Sequence, residues 1–250
     1  MALATFLLVA FVGAFFQTIT GFALGMILIA LAAGLQLVPI PVLTATASLL
    51  SLVNVVLALR TRYVDIDWPF WRWVTLGQVP AIGVGLVLMM QLNANALAWL
   101  QLLLGAFVLA GSAGMVRRDA TLPRESSRPA RLLAGIAGGV CGGMFSASGP
   151  VMGWFFYRQP RSIEVLRATL LACFAVTTSV RTLLVGVRGE LGEEVLTLTL
   201  ACAPAVALGT WLGGRYAKAI DAQRLRRGAF ALLTAMGLFI IGRALLALFG

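Results

Sequence analysis

CGGMFSASGP, Cys141 to Pro150, breaks an apolar run with three glycines, two serines and a proline. Backbone that leaves the helix at membrane depth survives only where protein or a water-filled cavity surrounds it. The same glycine-rich, hydroxyl-bearing character occurs in GAFFQTITGF, Gly13 to Phe22. Two further echoes follow: VPAIGVG (Val79–Gly85) returns as APAVALG (Ala203–Gly209), and LLLGAFVL (Leu102–Leu109) as LRRGAFAL (Leu225–Leu232). All keep an offset of 123 to 128 residues, so the chain is written twice. Such a duplication in a membrane chain points to a transporter.

Composition places the chain in a bilayer. It has 60% hydrophobic and 11% charged residues and a mean hydropathy of +0.97, outside the range of soluble domains. The N-terminal run lacks the basic region and cleavage site of a secretory signal and reads as mature protein. Cys141, Cys173 and Cys202 lie in apolar segments without metal-binding spacing, and there is no histidine. No metal or other cofactor is expected, and the cysteines read as filler. The net charge of +10 sits in short loops, which fits membrane orientation rather than nucleic acid.

Apolar segments run at about 2–34, 38–59, 70–91, 96–116, 130–157, 163–187, 194–214 and 227–249, against the roughly 20 residues that a span needs. If each crossed once, eleven positive side chains would face the cytoplasm and eight the other side. Suppose instead that the first segment of each copy is a re-entrant hairpin. One face then collects sixteen: Arg60, Arg62 and Arg72; Arg117, Arg118, Arg124, Arg128 and Arg131; Arg158, Arg161 and Arg167; Arg215, Lys218, Arg224, Arg226 and Arg227. Only Arg181, Arg188 and Arg243 are left opposite. The expected fold is therefore all-α, with two inverted repeats, each a hairpin plus three spans. The first repeat covers 1–117, a cytoplasmic linker 118–130 and the second repeat 131–250.

In this reading the second arm of the later hairpin starts near Ser148, with serine as cap and Pro150 in the first turn; Thr20 caps the equivalent arm. Each tip offers helix N-terminal amides and a hydroxyl, which suits an anion. Inversion would bring the tips together near the midplane. The expected anion site comprises Gln17, Thr18, Thr20, Gly21, Ser146, Ser148 and Gly149, completed by Asn54, Thr177, Thr178 and Arg181. Arg181 is an intramembrane cation and thus a counter-ion candidate, with outward snorkelling as its rival. Hydroxyls bonding their own helix and glycines serving close packing are the plain alternatives. Pro80 and Pro204 would bend the third span of each copy. All nine acidic residues lie in loops or at helix ends, which leaves a buried proton relay without a carrier and argues against an enzyme. An ion channel or a membrane scaffold are the other classes considered.

FQTITGFALGMI (Phe16–Ile27) and GGVCGGMFSASGPVMGWFF (Gly138–Phe156), each followed by a proline-led helix, resemble the signatures of the sulfite exporter TauE/SafE family. The resemblance covers essentially the whole chain. It departs from the commoner first motif at Ala23, where glycine often follows the phenylalanine. It implies a secondary transporter, an exporter, of a small anion of the sulfite, sulfonate or carboxylate class, in the bacterial inner membrane. Partners are that anion and the lipid bilayer, with no nucleic acid; a homodimer is left open.

Overall fold

The computed structural model describes residues 2–28, 40–91, 98–99, 102, 105–106, 109, 121–146, 148–217 and 219–249. The expected span 96–116 lies largely outside them. The elements are α1 (Ala2–Thr20), α2 (Ile40–Leu59), α3 (Trp68–Gln91), α4 (Arg128–Phe145), α5 (Gly149–Tyr157), α6 (Ile163–Val187), α7 (Glu193–Tyr216) and α8 (Ala222–Phe249), plus a 3-10 turn at Tyr63–Asp65. No strand occurs among the described residues. Among the described residues five helices, in α1, α2, α3, α6 and α7, are long and apolar enough to cross a membrane. Such runs form helices because a bilayer offers the backbone no other partner. Pro80 and Pro204 sit inside continuous helices, and prolines occupy the first turns of α4 and α5.

Small residues set the two tightest seams. A Cβ at Gly135 would lie 2.0 Å from the Val74 carbonyl oxygen, one at Gly139 2.6 Å from that of Gln78, and one at Gly143 2.2 Å from that of Ile82. Numbers rise together, so α3 and α4 run side by side in the same direction. Likewise, Gly209 lies against Phe11 and Ala14, and Gly213 against Phe15 and Thr18. α1 and α7 are therefore parallel as well.

Between the seams, Ala45 clusters with Val185 and Val195, while Leu59 joins Ala168 and Ala172. α2 therefore runs against α6. It runs with α7, because Asn54 further along reaches Thr210. Asp67 N–H donates to Thr169 and Gln78 donates to Thr177, which sets α3 parallel to α6. Exchanging α1 with α4, α2 with α6 and α3 with α7 leaves this pattern of neighbours unchanged. Traced through α7, α2, α6 and α3, the relations leave α1 and α4 pointing in opposite directions.

Three loops converge at one end. Arg161 pairs with Asp67 at 3.1 Å and with Glu125 at 2.7 Å; Leu122 N–H donates to the Arg158 carbonyl. The fully buried Gln159 donates Nε2 to Ser126 Oγ and accepts Ser126 N–H. The end of α5 thus lies beside the start of α4. The outer faces carry exposed apolar side chains such as Leu183, Val187, Leu200 and Leu246, a surface suited to hydrocarbon.

Candidate functional site

The two breaks are the same backbone device. α1 ends at Thr20, and Gly21 (φ 81°) donates its N–H to the Gln17 carbonyl at 2.7 Å. α4 ends at Ser146 (φ 50°), which donates to the Gly142 carbonyl at 3.0 Å. Both are left-handed helix ends. They align Gly21 with Ser146, an offset of 125 rather than the 128 of the sequence echo. Two expectations are corrected here. The cap on the arm that resumes at residue 24 comes from Gln17, whose Oε1 accepts the Leu24 N–H at 3.0 Å. Thr20 instead donates to the Phe16 and Phe22 carbonyls. Ser148 does precede α5, but in helical conformation and without a side-chain capping bond.

Ala23 has φ 130°, a region that favours glycine. Ala23→Gly is accordingly expected to stabilise the protein by about 1 kcal/mol, strain relief outweighing glycine's added unfolded-state entropy; a melting temperature at or below the parent's would contradict this.

The two breaks flank one another rather than meeting tip to tip; most of the return arm expected for the first segment, through residue 34, lies outside the described residues. The Phe22 ring covers Gly149 and Gly153, and a Cβ at Gly25 would lie 2.6 Å from the Ser146 carbonyl oxygen. Tyr157 donates its hydroxyl to the Thr20 carbonyl. Along α6 the tips stand at different levels. Gly21 abuts Leu170 and the Arg167 carbonyl, whereas the Ser146 tip lies beside Arg181.

That second tip gathers the polar groups. Arg181 is only 2% exposed, so it does not snorkel. Its Nη1 donates to the Thr44 carbonyl at 2.9 Å and Ser48 Oγ at 2.8 Å, and its Nε to the Gly143 carbonyl at 3.4 Å. Ser146 Oγ lies 3.3 Å from Ser48 Oγ. Ser148 is buried with an unpartnered Oγ, set with Thr177 against Gly142. Every Arg181 acceptor is neutral, and a buried cation without a counter-charge is expensive. The cluster thus favours an anion.

The remaining predicted residues divide. Asn54 Nδ2 bonds Thr18 Oγ1 at 2.9 Å and Thr210 Oγ1 at 2.6 Å, and Gln17 Nε2 bonds Ser51 at 3.0 Å. They tie α1, α2 and α7 together away from Arg181. Thr178 bonds carbonyls of its own helix at Phe174 and Ala175, the plain alternative weighed for it. Gln78 and Thr210 were missed. Gln78, fully buried, donates to Thr177 and to the Cys173 carbonyl. A lone amide in an apolar span was the available signal.

The family model described as sulfite exporter TauE/SafE matches residues 6–240. The chain is 36% identical over 225 residues, 90% of its length and 88% of the relative's, to a Cupriavidus necator protein named "Probable sulfite/organosulfonate exporter TauE". No solved structure matches it significantly.

Proposed function

The chain belongs to the sulfite exporter TauE/SafE family, and from that premise we propose that it exports sulfite or a small organosulfonate across the bacterial inner membrane, using Arg181 and the tip at Ser146–Ser148 to hold the oxyanion. It is a multi-pass membrane transporter and not an enzyme. The observation that carries the finer reading is the buried Arg181 guanidinium, bonded among the described residues only to neutral groups, beside a serine hydroxyl with no partner among them. A three-oxygen head would replace Ser48 and the Thr44 carbonyl as acceptor and take a hydrogen bond from Ser148 Oγ.

The repeats are read as inverted and their hairpins as re-entrant. Support comes from the opposed directions of α1 and α4, and from the loop cluster of Asp67, Glu125 and Arg161 on the face that collects sixteen positive residues. Alternating access then rocks the α1–α7 pair against the α3–α4 pair, with the flanking hairpins sliding between them. The membrane potential drives anion export, at about 2.3 kcal/mol per charge per 100 mV.

Ser148→Ala tests the site without disturbing a hydrogen bond. Sulfite counterflow in proteoliposomes is expected to fall about tenfold with unchanged melting temperature; full flux would remove Ser148 from the site. Topology is tested separately by Pro160→Cys and Glu193→Cys. The first should be labelled only from the cytoplasm and the second only from the periplasm. Labelling of Pro160→Cys from the periplasm would overturn the inverted reading.

A further inference from the structure

We propose that Arg167 forms a second oxyanion site, at the tip of the first hairpin, through which the anion passes before reaching Arg181. This rests on the transport reading above and extends it. Arg167 is 2% exposed, and its Nε and Nη1 are buried without any hydrogen-bond partner. Leaving charged donors unsatisfied inside a protein is strongly unfavourable unless something supplies acceptors.

The surroundings do not supply them. Among the described residues no carboxylate pairs with Arg167. Asp65 and Glu164 attract it only from a distance, and Arg62 on the 60–67 loop repels it. The adjacent helix start adds further positive potential, because Arg167 is the fifth residue of α6. Half-buried Arg62 and the start of α6 therefore both add positive potential around the buried Arg167 guanidinium. Beside it is the first tip: Gly21 packs on the Arg167 carbonyl, and Tyr157, which Arg167 senses electrostatically, bonds the Thr20 carbonyl.

Arg167 and Arg181 are 14 residues apart on α6, about 21 Å along the axis. Each arginine attends one hairpin tip. The loop-cluster end, beside Arg167, is the cytoplasmic end of the transport reading, so Arg167 would receive an exported anion first. The chemistry selects a small oxyanion head, which either a free sulfite or sulfonate or a lipid phosphate presents; the free anion is the assignment made.

The test is equilibrium binding of radiolabelled sulfite to the purified full chain. Wild type is expected to hold two equivalents, Arg181→Gln one, Arg167→Gln one, and the double variant none. Arg167→Lys should retain its site with affinity weakened about tenfold. In the absence of anion, Arg167→Met should raise the melting temperature, because it removes an unpaired charge; a drop would mark Arg167 as a satisfied structural residue and overturn the proposal. If Arg167→Gln keeps both equivalents, the second site is refuted. If Arg181→Gln keeps both, the reading of the first site fails instead. Comparing phosphatidylcholine with phosphatidylglycerol nanodiscs separates the sources. Equal binding supports a free-anion site, and loss of one equivalent in phosphatidylglycerol assigns Arg167 to lipid and overturns the assignment.

Discussion

Arg181→Gln is expected to abolish sulfite transport while leaving a folded protein. Among the described residues the guanidinium is the sole cation at the second tip, and removing one partner of a desolvated ion pair typically costs 3–5 kcal/mol, roughly a hundredfold or more in affinity. Folding should survive, because the wild-type charge is buried against neutral acceptors, the Thr44 and Gly143 carbonyls and Ser48 Oγ. Glutamine can still donate to one of them and brings no charge to desolvate. Arg181→Lys should rescue poorly. A planar guanidinium serves α2 and α4 at once, whereas an ammonium is a compact point charge. Counterflow at saturating sulfite and calorimetric binding together decide the matter. Flux within threefold of wild type, with binding intact, would leave Arg181 a structural bridge between the two copies.

Much of this arrangement was legible because it rests on rules that act along the chain. α6 begins and ends where it was expected, at 163 and 187, since Ser162 caps it and Gly189 takes the left-handed turn that closes it. The break between α4 and α5 was legible in the serines, glycine and proline of Ser146 to Pro150. What was not legible depends on register between helices. Tip depth is set by how far α1 slides along α7 and α4 along α3, so a shared midplane site was expected where the structure sets the tips at two levels of α6. Arg167 was counted as a loop charge, because five residues into a helix a side chain can face water or core. The echo at offset 128 misaligned the tips because left-handed backbone falls to glycine in one copy and to Ser146 in the other. Ser148 looked like a cap by type, but its helical backbone leaves the hydroxyl unpartnered.

Adding one methyl group at Gly135 is expected to unfold the protein, and the same change at Gly83 to do nothing harmful. Both are helical glycines, so propensity alone would make alanine more favourable at each by about 1 kcal/mol. Surroundings reverse that at Gly135, where the new Cβ would lie 2.0 Å from the Val74 carbonyl oxygen and 2.9 Å from its carbon. Backbone cannot rotate aside as a side chain can, so α3 and α4 must separate along their length. Gly139, Gly143, Gly77 and Gly85 make the same approach in this seam, at 2.6, 2.2, 2.3 and 2.3 Å from opposing carbonyl oxygens. Parting it forfeits many close contacts together, and between membrane helices such packing, not apolar burial, drives association. Gly135→Ala and Gly85→Ala should each cost more than the 1–3 kcal/mol of ordinary overpacking. Gly209→Ala should behave alike in the mirror seam, 2.4 Å from the Phe11 carbonyl oxygen. Gly83→Ala and Gly214→Ala, with nothing within 4 Å, serve as matched controls on α3 and α7. Thermal unfolding in detergent with a monodispersity check reads all five. If Gly135→Ala melted with the controls, the direct backbone seam of α3 and α4 would be wrong, and with it the parallel pairing from which the opposed directions of α1 and α4 were traced.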